Sequence, residues 1–125
     1  MLNRKPKTRN NNTQTEAAFF GSLRGHLRRA YRYWKPMQQC KTNARIEYHG
    51  DNKRRKWAYL CNHCKQYYKG SEVQIDHRVP VGTLLSLEHL PAFVAALTNE
   101  DVNAYQLLCK PCHLKKTNSE RAEKK

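Results

Sequence analysis

Two pairs of cysteines, Cys61-x-x-Cys64 and Cys109-x-x-Cys112, have the spacing of metal-binding knuckles. Together they can close one tetrahedral zinc site, and four thiolates leave that ion no open position, so its role is structural. Asp76-His77 lies between the pairs, and His113 directly follows the last cysteine. A structural zinc needs none of these three. A carboxylate plus an imidazole leaves coordination positions for water and phosphate oxygens, which suits a second, catalytic divalent ion. With four thiolates saturating the zinc, His63 inside the first knuckle reads as a bystander or a phosphate contact. Cys40 has no partner at useful spacing and reads as an ordinary buried or half-buried thiol.

Adjacent residues on a helix point about 100° apart. If Cys112 faces the zinc, His113 therefore faces elsewhere, toward the strand that carries Asp76 and His77. In a regular strand Asp76 and His77 point to opposite faces, so both serve one site only if the strand ends, twists or bulges there. Pro80, three residues later, is compatible with an early strand end. The plainer reading of Asp76-His77 is an exposed loop pair.

The 125 residues allow one compact domain plus tails. A 38% apolar fraction and a mean hydropathy of −0.97 imply a thin core, of the kind that relies on a metal or another staple. The x-x spacing of both pairs favours zinc over disulfides. The N-terminus MLNRKPKTRNNNTQT has no apolar run, so no signal peptide is expected, and no stretch approaches the length of a membrane span. A cytoplasmic protein, monomeric or weakly dimeric, is expected. Net charge is +14, and residues 1–60 hold 15 Lys/Arg against 3 Asp/Glu. A basic half of this kind points to a polyanion, most simply double-stranded DNA, against the plainer reading of a solvated basic surface.

These groups need elements to position them. Residues 1–14 read as a disordered basic tail. A basic helical extension over 15–56 follows. Its first helix starts near Thr13 or Thr15, with Thr13-x-x-Glu16 as a capping box, and runs to about Trp34 with Phe19, Leu23, Leu27, Ala30, Tyr31 and Trp34 on one face. A second helix has Pro36 in its first turn and ends near Arg45. After the loop Gly50-Asp51-Asn52 and the run Lys53-Arg54-Arg55-Lys56, Trp57–Leu60 reads as a strand and Tyr67-Tyr68 as its return, with the first knuckle at the tip. Val73–Ile75 is a strand leading to Asp76-His77, and Tyr105–Leu108 is another. Between them lies an insert, 82–103, with a helical apolar stripe from about Leu87 to Leu97. A last helix spans about Pro111 to Glu123, and 121–125 is a charged tail. The fold class is α+β.

The run Val73-Gln74-Ile75-Asp76-His77-Arg78-Val79-Pro80, followed by Tyr105-Gln106-Leu107-Leu108-Cys109-Lys110-Pro111-Cys112-His113-Leu114-Lys115-Lys116-Thr117, resembles an HNH endonuclease. It is similar to the small zinc-bearing HNH proteins of bacteriophages and their prophage relatives, over about residues 57–118. The resemblance implies a ββα-metal core over 57–120, with a zinc staple, N-terminal basic helices and a helical insert between the core strands. It also implies His77 as general base, and Asp76 and His113 as ligands of Mg2+ or another divalent ion such as Mn2+ or Ni2+. The family places Asn two residues before the Gln, where this chain has Ala104. Asn103, one place earlier, could orient the catalytic histidine only if the loop register shifts. The family's neighbouring partner is often a phage terminase or packaging protein, in a bacterial host's cytoplasm.

The expected reaction is hydrolysis of a DNA phosphodiester, by nicking. Arg78, Lys110, Lys115 and Lys116 are candidate phosphate contacts near the site, and Lys53, Arg54, Arg55 and Lys56 add sequence-independent affinity. Each is equally readable as a solvated charge. Two other classes compete: a zinc-stapled DNA-binding module without catalysis, and a module that recruits a partner through its Leu-rich insert and aromatic helix.

Overall fold

The computed structural model describes residues 4–123, so the ends of both expected tails, 1–3 and 124–125, lie outside the described residues. The described elements are β1 (Lys7–Arg9), β2 (Gln14–Thr15), α1 (Glu16–Ala30), α2 (Lys35–Asn43), β3 (Arg45–Glu47), β4 (Trp57–Leu60), β5 (Tyr67–Tyr68), β6 (Val73–His77), α3 (Leu90–Leu97), β7 (Tyr105–Cys109) and α4 (Lys110–Glu123), with short 3-10 turns before β6, α3 and β7. This is a mixed α+β protein. No helix among the described residues is long and apolar enough to cross a membrane.

The chain divides into two compact units, and the division differs from the one expected. Residues 4–34 join 81–99, so the first helix and most of the insert form one unit; 35–80 join 100–123. In the first unit Phe20, Leu84, Phe93 and Leu97 are buried together, with Phe19, Leu23, Leu27, Tyr31, Val81 and Leu90 against them. The apolar stripes of α1 and α3 are each other's cover, which their sequence distance hides. Arg24 Nη1 donates to Leu84 O at 2.9 Å, and Trp34 Nε1 to Asn99 O at 3.0 Å.

Lys7–Arg9 pairs antiparallel with Gln14–Thr15, where a disordered tail was expected. Asn10, Asn11 and Asn12 turn the chain with φ of 54°, 54° and 61°, a left-handed conformation that Asn tolerates better than most residues. Arg9 fixes this ribbon to α1: its Nε lies 3.1 Å from Glu16 Oε2, and its guanidinium lies over the rings of Phe19 and Phe20. Hydrogen bonds from Arg9, then from Thr8, hold the Glu16 carboxyl below its usual range. With Glu16 so engaged, the expected Thr13 capping box does not form. Thr15 caps instead, its Oγ1 accepting from Ala18 N at 3.1 Å. The helix stops at Ala30, four residues short of Trp34.

In the second unit α2 ends at Asn43, because the chain turns at Ala44 into β3, a strand the sequence reading did not foresee. Order β3-β4-β5 makes a three-stranded antiparallel sheet, and Arg45 covers the Trp57 ring at 3.9 Å. β6 and β7 form a separate ladder of five antiparallel pairs, from Val73↔Cys109 to His77↔Tyr105. Helix α4 follows β7 without a loop and continues through Glu123, so 121–123 are helical rather than tail. Cys61, Leu108, Cys109 and Cys112 are buried as one cluster, with Cys64 and Tyr68 packed on it.

Candidate functional site

Cys61 and Cys64 flank a tight turn after β4. Cys61 N donates to Gln66 O and Lys65 N to Cys61 O, both at 3.0 Å, and Lys65 takes φ 61° to close the turn. Cys109 is the last residue of β7 and Cys112 lies in the first turn of α4. The four Sγ atoms all lie within 4.8 Å of one another, and Cys64 and Cys109 are 3.9 Å apart. Thiolates bound to one zinc at about 2.3 Å sit about 3.8 Å from each other, so the cluster fits such an ion. These four cysteines are positioned to bind a metal such as zinc.

Their electrostatics say the same. Burial pushes the Cys61 thiol up, but backbone N–H donors of Cys109, Cys64 and His63 outweigh it and bring the thiol down to about 6. Tyr68, 3.2 Å away, lowers Cys64. Cys112 moves the other way, raised by its contact with Cys109 and by burial. Cys61 and Cys64 are prepared as anions here, and Cys112 is held back from ionising beside its neighbours, a cost that a bound cation would relieve. His63 is exposed and Cys40 is half-buried, its thiol raised by burial; neither joins the cluster.

Asp76 and His113 come together as expected. Asp76 Oδ1 lies 3.6 Å from His113 Nε2, the carboxylate 13% exposed and the imidazole 32%. A carboxylate so covered needs partners. Its Oδ2 accepts from Gln106 Nε2 at 3.1 Å and lies 3.1 Å from Lys116 Nζ. The gap to His113 is longer than a hydrogen bond and close to the separation of about 3 Å expected for two atoms sharing a small divalent ion. Both atoms are candidate ligands, and His113 is partly exposed to solvent.

His77 is placed differently from the expectation. The β6–β7 register runs without a bulge to His77↔Tyr105, and Arg78 N continues it by donating to Ala104 O at 3.0 Å. A regular ladder directs Asp76 and His77 to opposite faces. His77 accordingly lies edge-on to the Tyr105 ring, 5.0 Å between centroids, while Asp76 faces α4. The expected strand break at Pro80 comes too late to turn His77 toward Asp76.

Several basic residues expected to meet phosphate are engaged within the protein. Arg78 donates to Asn103 O at 2.9 Å and to Gln106 Oε1 at 3.4 Å. Lys116 is bound between Asp76 and Glu120 and donates to His77 O at 3.2 Å; burial lowers its pKa, but Glu120 and Asp76 outweigh this and raise it. Arg55 donates to Trp57 O and covers the Tyr48 ring at 4.1 Å. Lys53, Arg54, Lys56, Lys110 and Lys115 are exposed and available. Asn103 sits in the turn before β7, with both of these contacts made by its backbone: O to Arg78, and N to Asp101 Oδ1 at 2.9 Å.

Gln106, Asn62 and Glu120 are site residues that the sequence reading missed. Strand alternation was the available signal for Gln106, since it sits opposite Asp76 in the ladder. Glu120 follows His113 by seven residues, two helical turns along the same face. Asn62, His63, Gln106, Leu108, Lys115 and Lys116 help to line an open cleft of about 550 Å³ between the first knuckle and α4. No protein-family model, curated protein or solved structure matches this chain.

Proposed function

We propose that this protein is a metal-dependent endonuclease of the HNH kind, which nicks DNA by hydrolysing a phosphodiester. The observation that carries this reading is the approach of Asp76 Oδ1 on β6 to His113 Nε2 on α4, 3.6 Å apart and one residue from the four-cysteine cluster. In this reading β6, β7 and α4 are a ββα-metal core, and the cysteines hold a structural zinc. Asp76 and His113 would hold Mg2+ or another divalent ion, which supplies positive charge for the phosphoryl and the leaving 3′ oxygen.

The residues themselves divide the work. Asp76 stands on β6 and His113 on α4; β6 pairs with β7, and the β7–α4 junction, Cys109 to Cys112, is anchored in the cluster. His77 is the base that takes a proton from the attacking water. Its ring lies against Tyr105, so it must turn from that face to act. The exposed Lys110 and Lys115 stand at the start of α4 as phosphate contacts, and Lys53, Arg54 and Lys56 add affinity without sequence preference.

Supercoiled plasmid incubated with Mg2+, Mn2+ or Ni2+ tests the reading, with His77→Ala and Asp76→Ala alongside. Wild type converts plasmid to nicked circles and both variants lose at least about 100-fold in rate, the size of a general-base contribution. Absence of nicking with every metal, or equal nicking by Asp76→Ala, sinks it. A zinc-stapled DNA-binding module is the second reading. Lys116 favours it, since an ammonium already neutralises the Asp76 carboxylate.

A further inference from the structure

The side-chain amides of Asn62 and Gln106 each fit only one way round. Asn62 belongs to the first cysteine knuckle, where its backbone N–H donates to Leu107 O at 2.8 Å. Its Oδ1 accepts from Lys65 Nζ at 3.3 Å, which leaves Nδ2 as the donor that meets Gln106 Oε1 at 2.9 Å. Arg78 Nη1, a donor only, faces the same Gln106 oxygen at 3.4 Å. Gln106 must then present Nε2 to Asp76 Oδ2, at 3.1 Å. Turning Gln106 over would set donors against donors at Asn62 and Arg78, and a carbonyl oxygen against a carboxylate at Asp76.

We propose that Asn62 and Gln106 are positioning residues: a one-way amide chain from the first knuckle holds Asp76 so that Oδ2 meets a donor and Oδ1 faces His113. The proposal rests on reading Asp76 and His113 as a divalent-ion site. Without the chain Oδ2 is held by the Lys116 ammonium alone, at 3.1 Å, and the carboxylate plane is freer to turn, which loosens the pair that binds the ion. Partners that orient a metal-binding carboxylate typically contribute about 10-fold to 100-fold in affinity. The chain also makes the cysteine knuckle a neighbour of the second site through side chains, and not only through the helix that joins Cys112 to His113.

Mn2+ titration of zinc-replete protein, followed by water-proton relaxation, is the test. The variants are Asn62→Asp, Asn62→Ala and Gln106→Met. Asn62→Asp puts an acceptor where a donor is needed and drives the Gln106 amide over. Mn2+ binding is expected to weaken about 10-fold or more in Asn62→Asp and Gln106→Met, and less in Asn62→Ala, where water can replace the lost donor. Zinc stoichiometry stays at the wild-type value, and the Gln106 side-chain NH2 resonances shift in Asn62→Asp. The added negative charge alone would tighten Mn2+, so the two explanations have opposite signs. Unchanged or tighter binding in Asn62→Asp, or wild-type binding in Gln106→Met, overturns the proposal. Should Asn62→Asp fail to retain zinc, Gln106→Met, of similar shape without polar ends, decides alone. A wild type that binds no Mn2+ removes the underlying ion-site reading, and the proposal with it, before any variant is compared.

Discussion

Cys112 and His113 are adjacent on α4, yet the Cys112 thiol is buried among the four cysteines while the His113 imidazole reaches 3.6 Å from Asp76 on β6. The turn of the helix between neighbours produces this divergence. Whatever anchors Cys112 therefore sets where His113 points. Cys112→Ser is expected to lower zinc content below one ion per chain and to reduce the melting temperature by on the order of 10 °C, as a loss of about 2 kcal/mol would in a domain of this size. Metal analysis and thermal melting check both. Full zinc retention with an unchanged melt would contradict the staple.

Metal loading should follow the ionisation of Cys61. Its thiol sits at about 6 in the folded protein, below its ordinary 9.0, because backbone donors outweigh burial. A depressed folded value means the thiolate's contribution is fully present above 9.0 and is lost as pH falls through about 6. Zinc binding competes with protons for the same sulfur, so it should weaken below about pH 6. A zinc-release titration with a chromogenic chelator reads this directly, and flat affinity from pH 7 to 5 counts against it.

Lys116 acts on the Asp76 carboxylate in competition with any divalent ion, since its ammonium lies 3.1 Å from Oδ2. Its pKa is raised above 10.5 by Glu120 and Asp76, despite burial, so the ion pair persists below 10.5 and is lost only as pH rises through the higher folded value. Neutral pH gives no relief from this competition. Lys116→Met is therefore expected to tighten Mn2+ binding by roughly 10-fold, a change of about 1.4 kcal/mol. Mn2+ titration of the variant decides it: weaker binding would instead make Lys116 a support of the site.

Much of the second unit was legible because its signals are local. Cysteine spacing located the cluster, and short-range strand alternation located Trp57–Leu60, Val73–Ile75 and Tyr105–Leu108, the last two within strands that run on to His77 and Cys109. The pairing of Asp76 with His113 followed from helix geometry. What escaped depended on distant partners. The α1 stripe gave no hint that it closes on Leu84, Phe93 and Leu97, because an apolar face names no partner. The Lys7–Thr15 ribbon is polar enough to read as a disordered tail, and the contacts that order it, from Arg9 to Glu16 and Phe19, lie with α1 rather than within its own composition. His77 was expected beside Asp76 through an end, twist or bulge of the strand; the observed register keeps every pair in step to His77, and so sets its ring against Tyr105.

Phe93 is 1% exposed in the α1–α3 core, where its ring also carries the Arg28 guanidinium at 5.6 Å. Phe93→Ala should cost about 3–5 kcal/mol in the unit that holds it, by lost burial and the cavity left behind. None of its core neighbours is a cysteine, so zinc stoichiometry is expected to hold. Urea unfolding with parallel metal analysis separates the two outcomes. A loss below about 1 kcal/mol would mean that the α1–α3 core is not closed around this ring.

The basic loop before β4 offers a sharper test of nucleic-acid binding than net charge does, because its four cations differ in what they touch. Lys53, Arg54 and Lys56 are exposed, whereas Arg55 is held by Trp57 O and the Tyr48 ring. Each exposed cation that meets a duplex phosphate releases counterions, and removing it flattens the slope of log affinity against log salt by about 0.9. Ala substitution of Lys53, Arg54 and Lys56 together should lower the slope by up to about 2.7, with similar losses for unrelated sequences. Arg55→Ala should leave the slope unchanged and lower stability instead, through its lost stacking and hydrogen bond. Fluorescence anisotropy with two duplexes over a salt series measures both. A slope that falls for Arg55→Ala and not for the triple variant would reverse the assignment of structural and contacting cations.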